Sequence, residues 1–425
     1  MKAGIITLGC RVNHYESEAV SEELEKLGLE IASPDGDCGV YIVNTCAVTA
    51  EAVRKSGQMV RRAAKGKDVF VGVMGCASQL DPETFAGIEG VSFVCGSRNK
   101  LEMVSAVGKW LADREYKSVS VSEPDGEIEK MSIDRFDRTR AYVKIQDGCE
   151  NRCSYCVISK VRGRVVRRDE EDILNEIRTL AGGGCREVVL TGIETAAYGK
   201  GLAELIRKTA EIDGIDRIRL GSMEPSFLGR SFADGVKDIP QFMHHIHVSV
   251  QSGSSSVLAR MRRKYNRDQL IRNLTYLREV MPDMNFTSDI IVGFPGETDG
   301  EFEDTLSLVK EVSFLHCHIF KYSKRPGTEA AEMKDQVPPA VKEKRFGLLK
   351  AAADGEKRKI FLAAIDAGKP VAVLSETTDG KYIYGHSDGF MECMLESGDF
   401  EKGKTVFFLP ERIEGETLCG KEVKI

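Results

Sequence analysis

Along residues 1–112, short apolar and β-branched runs at 5–8, 40–43, 69–73 and 91–94 alternate with mixed stretches of helical length, 16–27 and 50–64 among them. That rhythm predicts βα units around a parallel sheet. Residues 113–138 are polar and acid-rich, with Ser122, Glu123, Pro124, Asp125 and Gly126 in succession, and are expected to form a linker. From 139 to 365 the alternation resumes, with apolar runs at 140–146, 187–190, 217–220, 245–250, 285–292 and 316–322. Helical stretches such as 170–180, 268–280 and 301–312 separate them. Six strands alternating with helices predict an incomplete (β/α)6 barrel, its chemistry at the carboxyl ends of the strands. From 366 to 425 the pattern shortens to strands at 370–375, 381–384, 391–395 and 405–409, joined by Asp379-Gly380, Gly398 and Gly403. A small closed all-β barrel is the expected outcome. The fold class is therefore α/β in three units: a parallel-sheet βα domain, a partial barrel and a small β-barrel.

Composition narrows the function classes. A chain of 425 residues with 42% hydrophobic content can bury several cores. No window approaches the ~18 apolar residues of a membrane span, and too few residues precede Leu8-Gly9-Cys10 to make a signal peptide. Twelve cysteines in so large a chain point to free thiols in a reducing cytoplasm, available to metal. A net charge of −6 excludes wholesale coating of nucleic acid, so any RNA contact must use local basic patches.

The thiols carry the candidate chemistry. Cys149, Cys153 and Cys156 stand four and then three residues apart on one predicted loop, with Tyr155 just before the last. A closed zinc site would want a fourth ligand close by, and none is present. Three thiolates on a four-iron cubane leave one iron open to a substrate or cofactor. A second set is dispersed: Gly9-Cys10, Asn44-Thr45-Cys46 and Gly75-Cys76 each follow a predicted strand. Carboxyl ends of strands in an open α/β sheet share one edge, so these three thiols can converge although distant in sequence. Three buried core thiols are the alternative. Cys95-Gly96 also follows a strand and offers a fourth ligand or a spare thiol, whereas Cys38, Cys185, Cys317, Cys393 and Cys419 read as small apolar residues or have no obvious partner.

The CxxxCxxC spacing is the signature of radical S-adenosylmethionine (SAM) enzymes. Gly9-Cys10-Arg11-Val12-Asn13, Asn44-Thr45-Cys46-Ala47-Val48-Thr49 and Gly75-Cys76-Ala77-Ser78-Gln79 resemble the N-terminal motifs of the methylthiotransferase family. The segments 191–193, 221–225, 251–254, 293–298 and 322–328 resemble that family in the same order. The resemblance implies two [4Fe-4S] clusters, on Cys149/Cys153/Cys156 and on Cys10/Cys46/Cys76. It also implies a SAM pocket lined by Tyr155, Glu224, Gln251 and Gly293, and a C-terminal TRAM-like barrel. It implies an electron donor such as flavodoxin or ferredoxin and a radical that takes hydrogen from C2 of a tRNA adenine, followed by methylthio transfer. Val161-Arg162-Gly163-Arg164, Arg167-Arg168 and the 191–199 loop look most like the group that acts on N6-threonylcarbamoyladenosine at position 37. Ser159-Lys160 and Glu194 depart from that group's usual residues.

Two basic runs follow the predicted active edge. Arg162, Arg164, Arg167 and Arg168 form one, and Arg262, Arg263 and Lys264, with Tyr265, form the other. Arginine there suits phosphate and Tyr265 suits stacking on a base, which favours an RNA substrate over plain solvated charge. The C-terminal unit is less expected as an RNA grip, since residues 366–425 hold seven Lys or Arg against twelve Asp or Glu, a net of −5. Rival readings are methylthiolation of isopentenyladenosine or of a ribosomal-protein aspartate, and a non-catalytic iron–sulfur protein that binds RNA or senses redox state.

Overall fold

The computed structural model describes residues 1–124, 126–396 and 400–424; Asp125 of the predicted linker and Gly398 of a predicted turn lie outside them. The N-terminal sheet is all parallel, in the order Glu30–Ala32, Lys2–Thr7, Val40–Thr45, Phe70–Gly75, Phe93–Cys95, Ser118–Ser120. Helices Arg11–Lys26, Ala50–Ala63 and Glu102–Ala112 cross between strands. Ala50–Ala63 begins at Thr49, whose hydroxyl accepts from the Ala52 N–H and satisfies an open donor of the first turn. The last strand corrects the expectation of a linker over 113–138. Ser118–Ser120 extends the sheet, Met131 and Ile133 are buried, and the Glu129 carboxylate accepts from the Lys100 and Leu101 N–H groups.

The central unit consists of two three-stranded parallel sheets. Ala141–Lys144, Glu187–Thr191 and Arg217–Leu220 form one, and His245–Gln251, Asn285–Val292 and His316–Lys321 the other. Bridges from Ile218 to Phe242 and from Met223 to Val248 join them into one curved wall of six strands. Helices such as Glu170–Gly182, Arg267–Val280 and Asp299–Val312 cover its outer face. Asp299–Val312 starts with a full capping box, Thr298 and Glu301 satisfying each other's N–H groups.

The helix Pro339–Asp366 leads to a closed five-stranded barrel, Val371–Thr378, Tyr382–Ser387, Glu392–Glu396, Thr405–Glu414 and Thr417–Glu422. The fifth strand was not expected from the sequence. It pairs parallel with Glu392–Glu396 and antiparallel with Thr405–Glu414, closing the barrel through backbone bonds that its polar, Gly420-containing sequence does not advertise. The barrel packs beneath the central wall, where Arg217 and Arg219 reach Asp388 and the Ser387 carbonyl, and Arg140 reaches Glu376. No described helix is long and apolar enough to cross a membrane.

Candidate active site

Cys10, Cys46 and Cys76 follow three adjacent strands of the N-terminal sheet, so their backbones meet at its carboxyl edge. Two glycines permit the approach. Gly9 has φ +105°, and a Cβ there would stand 2.9 Å from the Cys46 sulfur; Gly75 has φ +109°, and its Cβ would fall 2.5 Å from the Thr45 carbonyl. Asn13 links the trio, its Oδ1 lying 3.7 Å from the Cys10 sulfur and accepting from Arg162 Nη2 at 2.9 Å. Arg162 Nε in turn donates to the Cys76 sulfur at 3.1 Å. Burial pushes the Cys46 thiol up to about 11, and Cys76 and Cys10 add to the rise as like charges. Cys95 belongs instead to the main hydrophobic core with Phe70, Met74 and Met103.

The second trio sits on the loop after the first barrel strand. Backbone bonds from Cys149 N–H to the Gly163 carbonyl and from Cys156 N–H to the Cys153 carbonyl, both 3.1 Å, shape that loop. Arg263 Nη1 donates to the Cys153 sulfur at 3.2 Å. Burial pushes Cys149 up to about 12 and Cys156 to about 11. The short helix Ile158–Arg162 that follows docks on the N-terminal domain: Val157 and Val161 share a core with Cys76 and Ala77, and Arg98 Nη2 donates to the Arg162 and Arg164 carbonyls. One peptide run thereby ties the two trios together.

Arg162, expected on an RNA-facing surface, is fully buried and belongs to this scaffold instead. Its guanidinium bonds Glu16 at 2.6 and 3.1 Å and Asp147 at 3.2 Å. Lys144 reaches the same two carboxylates, at 2.9 and 2.7 Å, and Lys100 reaches Glu16 at 2.6 Å. Burial opposes the charge of Glu16, but Arg162, Lys100 and Lys144 together hold it well below the usual carboxylate range. Two further expectations are corrected the same way. Arg168 is buried on Glu176 and Tyr15, and the Arg263 side chain is 5% exposed between Cys153 and Glu224. Tyr265 does not face solvent for stacking; its hydroxyl donates to the Ser249 and Val250 carbonyls. Arg164, Arg167, Arg262 and Lys264 are exposed, Arg262 pairing with Glu329 at 2.7 Å.

The network fits an iron–sulfur cluster on electrostatic grounds. Three cations (Lys100, Lys144, Arg162) face two carboxylates (Glu16, Asp147), which leaves one buried positive charge against the Cys76 sulfur. Three thiolates around a dicationic cubane leave one negative charge, its complement. Arg325, which the sequence reading passed over inside the 322–328 segment, adds a second argument. It is 6% exposed, and its Nε and Nη1 have no hydrogen-bond partner. Burial disfavours its charge, while Cys156 of one trio and Cys46 and Cys76 of the other favour it. Its loop is pinned to the cysteine loop by the Ala330 N–H to Ser154 carbonyl bond, 2.8 Å, and by Lys160 Nζ on the Gly327 carbonyl, 2.6 Å. A buried cation between two anionic clusters stabilises their reduced forms. Arg325→Gln is therefore expected to shift both reduction potentials to more negative values in an EPR-monitored redox titration, with iron content preserved. A shift confined to one cluster would contradict the shared placement.

The expected SAM residues lie around the Cys149–Cys156 loop. Tyr155 packs edge-on against Phe294, next to Gly293, at a centroid distance of 6.4 Å. Gln251 ends its strand at φ +64°, and Glu224 lies 3.5 Å from Arg263. Asn151 Nδ2 lies 3.4 Å from Glu194 and 3.5 Å from Glu224. Burial, then the neighbouring Glu224, pushes Glu194 up to about 7, and each carboxylate keeps one buried oxygen without a hydrogen-bond partner. The unpartnered Glu194 oxygen, and the Glu224 oxygen held only by the 3.5 Å ion pair with Arg263, suit a ligand with ammonium and sulfonium charges.

Comparison with known proteins agrees with this geometry. Residues 143–309 match the radical SAM superfamily, and residues 2–96 match a family described as uncharacterized protein family UPF0004. The chain is 35% identical to the threonylcarbamoyladenosine tRNA methylthiotransferase MtaB of Bacillus subtilis, covering 94% of this chain and 91% of that protein. It is 36% identical to a tRNA-2-methylthio-N(6)-dimethylallyladenosine synthase of Clostridium botulinum, covering 82% and 80%. Among solved structures, the radical SAM methyltransferase TsrM of Kitasatospora setae superposes with a TM-score of 0.57 at 17% identity, over 78% of this chain and 75% of that one, a likeness of fold.

Proposed function

The chain belongs to the radical SAM methylthiotransferase family, and on that premise we propose that it adds a methylthio group to C2 of N6-threonylcarbamoyladenosine at position 37 of tRNA. Two cysteine trios, each with a buried arginine on one of its sulfurs and with Arg325 interacting with Cys156 of one and Cys46 and Cys76 of the other, carry this reading. Its cofactors are SAM and two [4Fe-4S] clusters, with Cys149, Cys153 and Cys156 holding one and Cys10, Cys46 and Cys76 the other. Bound there, the clusters and SAM supply the one-electron chemistry that an unactivated C–H bond requires. The chain's own groups bind and orient. Glu224 and Glu194 receive the cationic end of SAM, Tyr155 and the Gly293 turn close over it, and Gln251 borders it. Arg162, Arg263 and Arg325 balance charge with side chains already desolvated, so water is excluded without stranding an anion. Arg164, Arg167, Arg262 and Lys264 offer exposed cations for the tRNA backbone. The setting is the cytoplasm, with an electron from a flavodoxin- or ferredoxin-type donor. The threonylcarbamoyl nucleoside is favoured over the dimethylallyl one because, at equal coverage of this chain, its relatives are the more similar: 39% against 36% identity over 82%, and 35% against 33% over 94%.

Mass analysis of tRNA nucleosides tests the reading. Cells lacking the protein are expected to lose the methylthio mark from threonylcarbamoyladenosine while keeping it on isopentenyladenosine. Cys46→Ala is expected to fail to restore the mark while retaining part of the SAM cleavage. Restored product in that variant would refute the second trio.

A further inference from the structure

Five of the chain's seven histidines, His245, His247, His316, His318 and His386, line one cavity of about 140 Å3. Resting on the substrate reading above, we propose that this cavity receives the carboxylate-bearing substituent of the target base, with Arg11 as its anion-binding residue.

All three units build the cavity. Register pairs His247 with Thr287 and Asp289 with His318 across three neighbouring strands. The intervening Ile246, Val248, Phe286 and Ile290 fill the hydrophobic core, so the polar set faces the barrel interior. Arg11 enters from the N-terminal domain, and His386 and Phe390 close the floor from the C-terminal barrel. Two of its lining residues, Arg11 and His247, stand near the trios in the chain or through hydrogen bonds. Arg11 follows Cys10 directly and donates to the Leu220 carbonyl, at the carboxyl end of its strand, at 3.2 Å. His247 lies two residues before Ser249, whose carbonyl accepts from Arg263, the arginine on the Cys153 sulfur. Gln251, at the rim, is four residues beyond His247, about 13 Å along the strand. A base held between the trios would hang its exocyclic substituent into this space.

The polar groups inside match such a substituent. Lys357 is held by Glu416 at 3.1 Å and by Glu392, which also lines the cavity, at 4.0 Å, and Asp289 is engaged by His247 Nε2 at 3.2 Å. Among the described residues no carboxylate lies within ion-pairing distance of Arg11, which leaves its cation for a ligand. The Thr287 hydroxyl sits 2.9 Å from both His245 Nε2 and His247 Nδ1, fixing both rings. Burial holds His245, His316 and His318 below the usual imidazole range, so they act as neutral donors and acceptors. A threonylcarbamoyl group brings a carboxylate for Arg11, and a hydroxyl and ureido N–H for Asp289 and His318. A dimethylallyl group would leave all of these unpaired. Phe320, 43% exposed on the same strand face as His318, offers a ring for the base. His247, Asp289 and His318 also place donor atoms within 4.8 Å of one another, as a divalent cation would need, but a guanidinium without an ion-pair partner among the described residues, in the same cavity, favours an anion.

The test uses full-length reconstituted protein and anticodon stem-loop RNAs carrying threonylcarbamoyladenosine, dimethylallyladenosine or adenosine at the target position, with affinity read by fluorescence anisotropy. Wild type is expected to prefer the threonylcarbamoyl RNA over the unmodified one by roughly tenfold to a hundredfold. Arg11→Met is expected to erase that ratio, Arg11→Lys to keep part of it, and His318→Ala to lower it severalfold. Should Arg11→Met not fold, as judged by iron content and thermal melting, His318→Ala on an exposed side chain carries the test. A wild-type preference with unchanged ratios in the variants overturns the pocket alone. A preference for dimethylallyl RNA overturns the substrate reading and this proposal with it. One equivalent of Zn2+ bound by wild type and lost in Asp289→Asn would assign the cluster to a metal and overturn the anion site.

Discussion

Cys153→Ala is expected to reduce 5′-deoxyadenosine release, in an anaerobic assay with SAM and dithionite, from readily measured turnover to background. The loop offers three thiols and no fourth, so a lost ligand has no replacement within it. Arg263 would also lose its sulfur partner and be left with the Tyr265 hydroxyl at 3.2 Å, the Ser249 carbonyl at 3.3 Å and Glu224 at 3.5 Å. Iron per chain is expected to fall from about eight to about four, because the Cys10/Cys46/Cys76 site keeps its own ligands and charge balance. Release at the wild-type level would place SAM activation elsewhere. Wild-type protein reconstituting to near four irons would remove the two-cluster account altogether.

The second large effect is on folding. Glu16→Gln is expected to destabilise the protein by about 3–5 kcal/mol, seen as a lower urea midpoint, because breaking a buried ion network strands its remaining charges. Glu16 is 1% exposed and meets Lys100, Lys144 and Arg162; without its charge those three cations face Asp147 alone. The amide keeps the shape of the carboxylate, so the loss reports charge rather than packing. Glu51→Gln, whose exposed partner is Arg54, is expected to change stability by less than about 1 kcal/mol. Equal effects at the two positions would contradict the role given to the buried network.

These two expectations differ in how visible their residues are in the sequence. Cys153 is conspicuous because a multi-iron ligand loop imposes a fixed spacing. Glu16 is one acid among many on a helix, and nothing adjacent in the chain marks it as buried. Arg162 shows the same gap from the other side: a run of arginines reads as surface until the Ile158–Arg162 helix is seen docking, through Val161, against Cys76 and Ala77. Arg325 sat inside a recognised segment, yet its orphaned donors exist only once the loop is pinned to Ser154 and Lys160. The fifth strand of the C-terminal barrel escaped because Thr417–Glu422 lacks an apolar alternation and is held by its neighbours' backbones.

What the sequence determined by itself is what local rules encode: the βα rhythm, the three units, and the six thiols placed after strands or on one loop. Periodicity and ligand spacing act over a few residues, so they are written in the chain. The tertiary structure decided which charges are buried, which arginines lie against cysteine sulfurs rather than on the surface, and which histidines share a cavity. Desolvation and pairing depend on segments more than a hundred residues apart, Arg11 with Leu220 and His245 with His386, and only folding brings those together.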